Sequence, residues 1–327
     1  MARNFPQKFK LEGDKAFDLR YGENPHQEGA VYFFEDTNSP LKNLKRLTGR
    51  EGSLINITDI NAGLASVRLF SEPAAVIIKH NTPCGIALGE SSEQALSRAI
   101  EADPESAFGG IIVLNSPLDL KTAEVIAAFR DERRGNIDVV AAPTVEDDAL
   151  ELLKQVRKTM AIYSFGEIPK NMQDFDIKAI DGGFIIQDAD INIEEGFAAW
   201  KVVSEKQPTD EQIKQMQVAW KFVTRIKSNC VLIVDSEIPM TRGIGTGQTS
   251  RVRSTKIALD QAGEKARGAI LASDSFFPFP DSIALAAKSG ITAIVQQGGS
   301  INDQASVEEA DKHGMVMIFT GRRAFWH

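Results

Sequence analysis

The chain has 327 residues, 43% of them apolar and 25% charged, with 37 basic against 45 acidic residues and a formal charge of −8. This length favours two packed subdomains over a single core, and the composition is that of a globular protein that folds without metal or disulfides. The acidic balance excludes a broad basic surface for nucleic acid, and two cysteines, Cys84 and Cys230, are too few for a secreted disulfide framework.

Met1 to Pro6 leads into charged sequence without an apolar leader region, and no run approaches the roughly 18 apolar residues of a membrane span. A soluble cytoplasmic protein, with neither membrane nor nucleic-acid partners, is therefore expected. The first polar cluster is Arg20-Tyr21-Gly22-Glu23-Asn24-Pro25-His26-Gln27. Arg20 can pair with a phosphate through two N–H groups while Tyr21 donates from its hydroxyl, although the two also suit a surface packing pair.

The run Ala74-Ala75-Val76-Ile77-Ile78 predicts a buried strand, Ser92 to Glu101 a helix, and Gly110 to Leu114 a second strand, the alternation of an α/β protein. The first strand leads into Lys79-His80-Asn81-Thr82-Pro83-Cys84-Gly85. A histidine can accept a proton near neutral pH, and a neighbouring ammonium can stabilise a developing oxyanion. Successive strand residues face opposite ways, so the pair shares a ligand only where the backbone turns, for which Pro83 and Gly85 are the candidates. A solvated lysine beside a structural histidine is the competing reading. Cys84 reads as a small packing residue, since the chain's four histidines and two cysteines form no zinc-ligand spacing.

Val139 to Pro143 predicts another strand and Asp147 to Lys158 a helix. Tyr163 to Ile193, broken by Pro169, Gly182 and Gly183 and containing the β-rich run Gly183 to Gln187, reads as a connection. Thr209 to Arg225 is a helix with a cap at Pro208-Thr209-Asp210. Strands follow at Val231–Val234, Ala269–Leu271 and Ile291–Val295, with a helix at Asp281–Ser289. Two subdomains, 1–160 and 201–327, joined by 161–200, follow from this order, and their similar rhythm admits a duplication invisible in the residues.

Three further clusters complete the reading. Ser228-Asn229 precedes a glycine-rich stretch from Gly243 to Arg251, which lets a backbone approach a ligand or simply makes a tight turn; it has neither Walker nor dinucleotide spacing. Ser273 to Asp281 crowds Phe276, Phe277 and Phe279 between prolines as a flat wall for a heterocycle, though core packing is the default for any one of them. The last residues, Arg322 to His327, carry two aromatic rings, which suggests a docked tail.

Taken in order, Leu19 to Gln27, Lys79-His80 with Pro83-Cys84-Gly85, Ser106 to Gly110, Lys227-Ser228-Asn229, Gly243 to Arg251, Ser273 to Phe279, Gly298-Gly299-Ser300 and Phe319-Thr320-Gly321 resemble the AICAR transformylase family across essentially the whole chain. The resemblance implies two tandem cytidine-deaminase-like α/β/α subdomains without zinc, and a homodimer with sites at the subunit interface. It implies formyl transfer from 10-formyltetrahydrofolate, as co-substrate, to the amine of aminoimidazole carboxamide ribonucleotide (AICAR). Bifunctional members carry an upstream cyclohydrolase domain. Because the chain starts just before the transformylase motifs, a stand-alone transformylase or a fragment is expected, with any IMP cyclohydrolase a separate polypeptide.

By the same resemblance Lys79, His80 and Asn229 form the catalytic group. His80 takes the amine proton, Lys79 meets the oxyanion and Asn229 holds the carboxamide. Arg20, Tyr21 and Arg323 match phosphate contacts, and Asp138 a ribose contact. Gly109, Arg251 and Phe276 match further substrate contacts, and Phe276, Pro278 and Asp281 the folate region. Asp274 and His327 lie near the positions of a potassium site. Pro280 replaces the family's usual arginine, Ala324 stands near a usual histidine, and Trp326 near a usual basic or histidine residue, which puts the folate contacts in question. The competing readings are a non-catalytic nucleotide-binding paralogue and a formyltransferase with another one-carbon donor.

Overall fold

The structure, a computed structural model, describes residues 5–129, 136–169 and 175–327. The leader reading rests partly on residues 1–4, outside this range. Among the described residues no helix is long and apolar enough to cross a membrane.

An antiparallel hairpin, β1 (Asp14–Asp18) and β2 (Ala30–Phe33), precedes β3 (Lys45–Thr48), α1 (Leu54–Val67), β4 (Ala74–Lys79) and β5 (Thr82–Leu88). Then come α2 (Ser92–Ala102), α3 (Pro104–Ala107), β6 (Ile111–Leu114), α4 (Leu120–Ala128), β7 (Val139–Ala142), α5 (Asp147–Val156) and β8 (Ala161–Ser164). A second hairpin, β9 (Phe175–Ile180) and β10 (Gly183–Asp188), turns through Asp181-Gly182 and leads to β11 (Lys201–Val202) and α6 (Asp210–Val223). The chain closes with β12 (Val231–Val234), β13 (Thr241–Gly245), α7 (Arg251–Ala262), β14 (Ile270–Ser273), α8 (Asp281–Lys288), β15 (Ala293–Gln296), α9 (Asp303–Lys312) and β16 (Val316–Phe319).

Two six-stranded sheets result, in the orders β3-β8-β7-β6-β4-β5 and β11-β16-β15-β14-β12-β13. Position by position the pairings also agree in direction, two parallel pairs flanked by antiparallel ones. The expected pair of tandem α/β subdomains is therefore present, and their similar rhythm reflects one topology used twice. Strand β8 extends the first sheet into the segment assigned to the connection. It belongs there because Ala161 and Tyr163 bury one face while Ile162 buries the other.

Helices cover both faces of each sheet, which is why the inner strands are continuous apolar runs rather than alternating ones. One face of each sheet and both α1 and α6 share a single central core containing Ile60, Leu64, Val76, Val113, Trp220, Phe222, Leu232 and Val295. The outer face of the first sheet packs under α2, α4 and α5, and that of the second under α7, α8 and α9. Rings of Phe70 and Phe222 meet edge-on at 5.4 Å where α1 and α6 approach.

The glycine-rich stretch is not the loop its sequence suggests, since Gly243 and Gly245 lie in β13. They are small because α7 rests on them: a Cβ at Gly245 would stand 1.9 Å from the Ser254 carbonyl oxygen, and one at Gly243 2.0 Å from that of Ala258. Gly247, with φ +64, is the residue that makes the loop. Gly245→Ala is expected to lower stability by about 1–3 kcal/mol through overpacking. Denaturant unfolding checks this, and a loss near zero would mean that α7 does not sit on β13 as described.

Candidate active site

Strand β4 ends at Lys79, and β5 begins at Thr82, its register partner, so His80 and Asn81 are the two residues of the hairpin turn. Both have positive φ, 55° and 59°, as a type I′ turn requires. The expected turn exists, but not for the expected reason. Pro83 and Gly85 are strand residues, and a Cβ at Gly85 would lie 2.1 Å from the Ala99 carbonyl oxygen of α2. Asn tolerates the left-handed region through its short polar side chain; histidine there is uncommon. The turn exposes the His80 ring.

What holds the turn is a residue the sequence reading missed. Asp59, on α1 and 3% exposed, accepts a 2.6 Å hydrogen bond from the Asn81 N–H. Burial raises its carboxyl above the usual value, opposed by the Asn81 and His80 amides and by the charges of His80 and Lys227. The signal in the sequence would have been an acid on a helix at i, i+4 and i+7 with the small residues Gly63 and Ser66, which are also buried.

Lys79 donates a 2.8 Å hydrogen bond to the Phe108 carbonyl, leaving two of its three N–H donors for a ligand. The adjacent Gly109, at φ +71, donates to the Asn136 carbonyl, and Asn136 in turn donates to the Asp138 carboxylate at 2.9 Å. Burial raises the Asp138 carboxyl, against the pull of Arg50, Lys79 and Arg20. Arg50 was not singled out from the sequence. Arg20 donates to the Tyr21 hydroxyl at 2.9 Å, and backbone bonds from Arg20 to Gly52 and from Leu54 to Tyr21 fasten this pair to the start of α1.

A second group lies where β12 begins and β14 ends. The buried Arg251, at the first turn of α7, pairs with the fully buried Asp274 and donates to the Asn229 side-chain amide oxygen (Oδ1) at 2.7 Å. The Asn229 amide also donates to the Gln248 carbonyl at 2.8 Å, so one N–H and one lone pair remain for a ligand. The tail is docked, as expected: Ser228 N–H donates to the Trp326 carbonyl, Ala324 N–H to that of Asp274, and Arg323 lies over the Phe325 ring at 4.5 Å. The other Asp274 oxygen accepts from the Cys230 N–H, and the His327 ring faces Phe325 edge-on at 5.5 Å. A guanidinium already neutralises the Asp274 carboxylate, so its charge is spent within the protein rather than on a potassium ion.

The aromatic wall is only partly a wall. Phe277 is core beneath α8, whereas Phe276 is half-buried and Phe279 is 60% exposed. Pro278 and Asp281 are exposed beside them, with the Asp281 carboxylate accepting from the Ser282 N–H and the Pro278 carbonyl from Asn302.

Cys84 lies beside this site without the character of a nucleophile, its thiol pushed up to about 12 chiefly by burial and then by Asp103. Burial likewise raises the Cys230 thiol. Both should resist iodoacetamide in the folded protein from pH 7 to 9 and react after denaturation. Rapid native labelling of Cys84, read by mass spectrometry, would overturn this assignment.

The family described as the AICARFT/IMPCHase bienzyme matches residues 1–261. Bifunctional purine biosynthesis protein PurH of Thermoanaerobacter sp. (strain X514) is 43% identical over 325 residues, 99% of this chain and 61% of the relative. The proteins of that name from Halalkalibacterium halodurans and Listeria monocytogenes are 41% and 42% identical, over 98% and 99% of this chain and 61% and 62% of their own lengths. The chain therefore spans about three fifths of the curated relatives it matches, and on these matches it belongs to the AICARFT/IMPCHase bienzyme family.

Proposed function

We propose that the chain transfers the formyl group of 10-formyltetrahydrofolate to the 5-amino group of AICAR, giving the formamido ribonucleotide and tetrahydrofolate in purine synthesis. The observation that carries this reading is the β4–β5 turn, which presents an exposed imidazole next to an ammonium that still has donors to spare. The amine is a weak nucleophile because its lone pair is conjugated into the imidazole and towards the carboxamide. His80 takes the amine proton as the new N–C bond forms, and Lys79 stabilises the charge that develops on the formyl oxygen. When the bond to folate N10 breaks, the protonated His80 can return the proton to that nitrogen, so the imidazole ends as it began.

The remaining donors assign themselves by chemistry. Asn229 matches a carboxamide with its free N–H and lone pair, Arg20, Tyr21 and Arg323 suit the phosphate, and Asp138 a ribose hydroxyl. Arg251 supports the site by fixing the Asn229 amide. Phe276 offers a face to the ring systems, with Pro278 and Asp281 on the folate side. Exposure of His80, and of the hairpin residues Tyr32, Ile180 and Ile185, supports a homodimer in which a second copy closes the site. The relatives are described as bifunctional. In this reading a cyclohydrolase on another polypeptide, or on chain outside this sequence, closes the ring in the cytoplasm.

His80→Ala is expected to lower kcat by about 10²–10⁴-fold, the usual value of a positioned acid–base group. AICAR affinity by calorimetry should change little. Tetrahydrofolate release, followed spectrophotometrically with a cyclohydrolase added to draw off product, measures the rate. Retention of most of the turnover would remove His80 from the mechanism, and nucleotide binding with no transfer by the unaltered protein would refute the assigned reaction.

A further inference from the structure

We propose that Asp59 is a positioning residue of this site, holding the turn that aims His80. The inference rests on the reaction proposed above. Two consecutive non-glycine residues, His80 and Asn81, occupy the left-handed region, and among described non-glycine residues they alone have positive φ. Such a conformation persists only where its surroundings over-determine it, and such outliers concentrate at functional positions. A turn needed only to reverse the chain would more readily use glycine.

The over-determining contact is visible. The carboxylate of Asp59, on the buried side of α1, accepts the Asn81 N–H at 2.6 Å. A buried acid is costly unless its hydrogen bonds are worth more, and this one bonds a turn rather than another side chain. The acid does not reach the reacting atoms through any contact in the structure, so its effect on the reaction is exerted through His80. The chain at the end of α6 passes α1 in the opposite direction, with Lys221 bonded to the Leu69 carbonyl and Arg225 to that of Ala65.

The test compares the unaltered chain with Asp59→Ala and Asp59→Asn, the amide retaining an oxygen that can accept the same N–H. Misplacement of a catalytic group by about 1 Å costs about a hundredfold, so Asp59→Ala should lower kcat by at least about tenfold. Its AICAR Kd should stay within about twofold, because the nucleotide donors are elsewhere, and Asp59→Asn should regain most of kcat. A kcat near the unaltered value in Asp59→Ala, a joint loss of kcat and affinity, or an Asp59→Asn no better than the alanine variant would each overturn the proposal.

Amide hydrogen exchange at Asn81 is read in the same proteins and separates this proposal from the assigned reaction. The amide should be protected in the unaltered chain and in Asp59→Asn, and should exchange about a hundredfold faster in Asp59→Ala. If the unaltered chain transfers no formyl group, the reaction is refuted while exchange still decides whether Asp59 holds the turn. Equal exchange in all three proteins contradicts it, and should the alanine variant fail to fold, the asparagine variant's exchange and kcat decide.

Discussion

The layer of apolar side chains between the two sheets is the constraint on which everything else depends. Helices α1 and α6 put residues into one core together with the inner faces of both sheets. Neither sheet can cover that face alone, so the halves are obliged to fold against each other, and their relative placement is set by packing rather than by a linker. Because α1 lies at the centre, what it carries is held with the same rigidity. Its first turn is bonded to the Arg20–Tyr21 segment, and its second turn carries Asp59 to the His80–Asn81 turn.

The two sheets have the same strand order, yet they contribute opposite edges to the site. In the first sheet the tight β4–β5 turn brings Lys79 and His80 to the edge where the parallel strands begin. In the second, the start of β12 and the end of β14 bring Asn229 and Asp274 to the edge where the parallel strands end, the usual location of ligands in open α/β sheets. The end of α6 runs antiparallel to α1, with Lys221 bonded to the Leu69 carbonyl and Arg225 to that of Ala65. The matching β12–β13 connection of the second half, Asp235 to Met240, is longer and is spent on structure: Asp235 accepts from Arg242, which also binds Glu101 of α2.

Much of this was legible in the sequence, for identifiable reasons. Strands such as Ala74–Ile78 and Val231–Val234 stood out because helices on both faces make them continuous apolar runs. Helix α6 was legible from its start, where Thr209 and Gln212 form a reciprocal capping box. Helix α1 was not, because a helix buried between two sheets has no broad polar face to generate a period. Asp59 was hidden with it. Gly243 and Gly245 were misleading since glycine demanded by a helix resting on a strand looks, in sequence, like glycine demanded by a loop. The link between Lys79 and Asp138 comes from strands β4, β6 and β7 lying side by side, which no local spacing encodes.

The most direct test of the account is a crystal structure of the protein with AICAR bound. The account predicts the 5-amino group within hydrogen-bonding distance of the His80 ring, the carboxamide on Asn229 and the phosphate among Arg20, Tyr21 and Arg323, whether one subunit or two supply these residues. A nucleotide bound with His80 turned away from it in every subunit of the assembly would contradict the account.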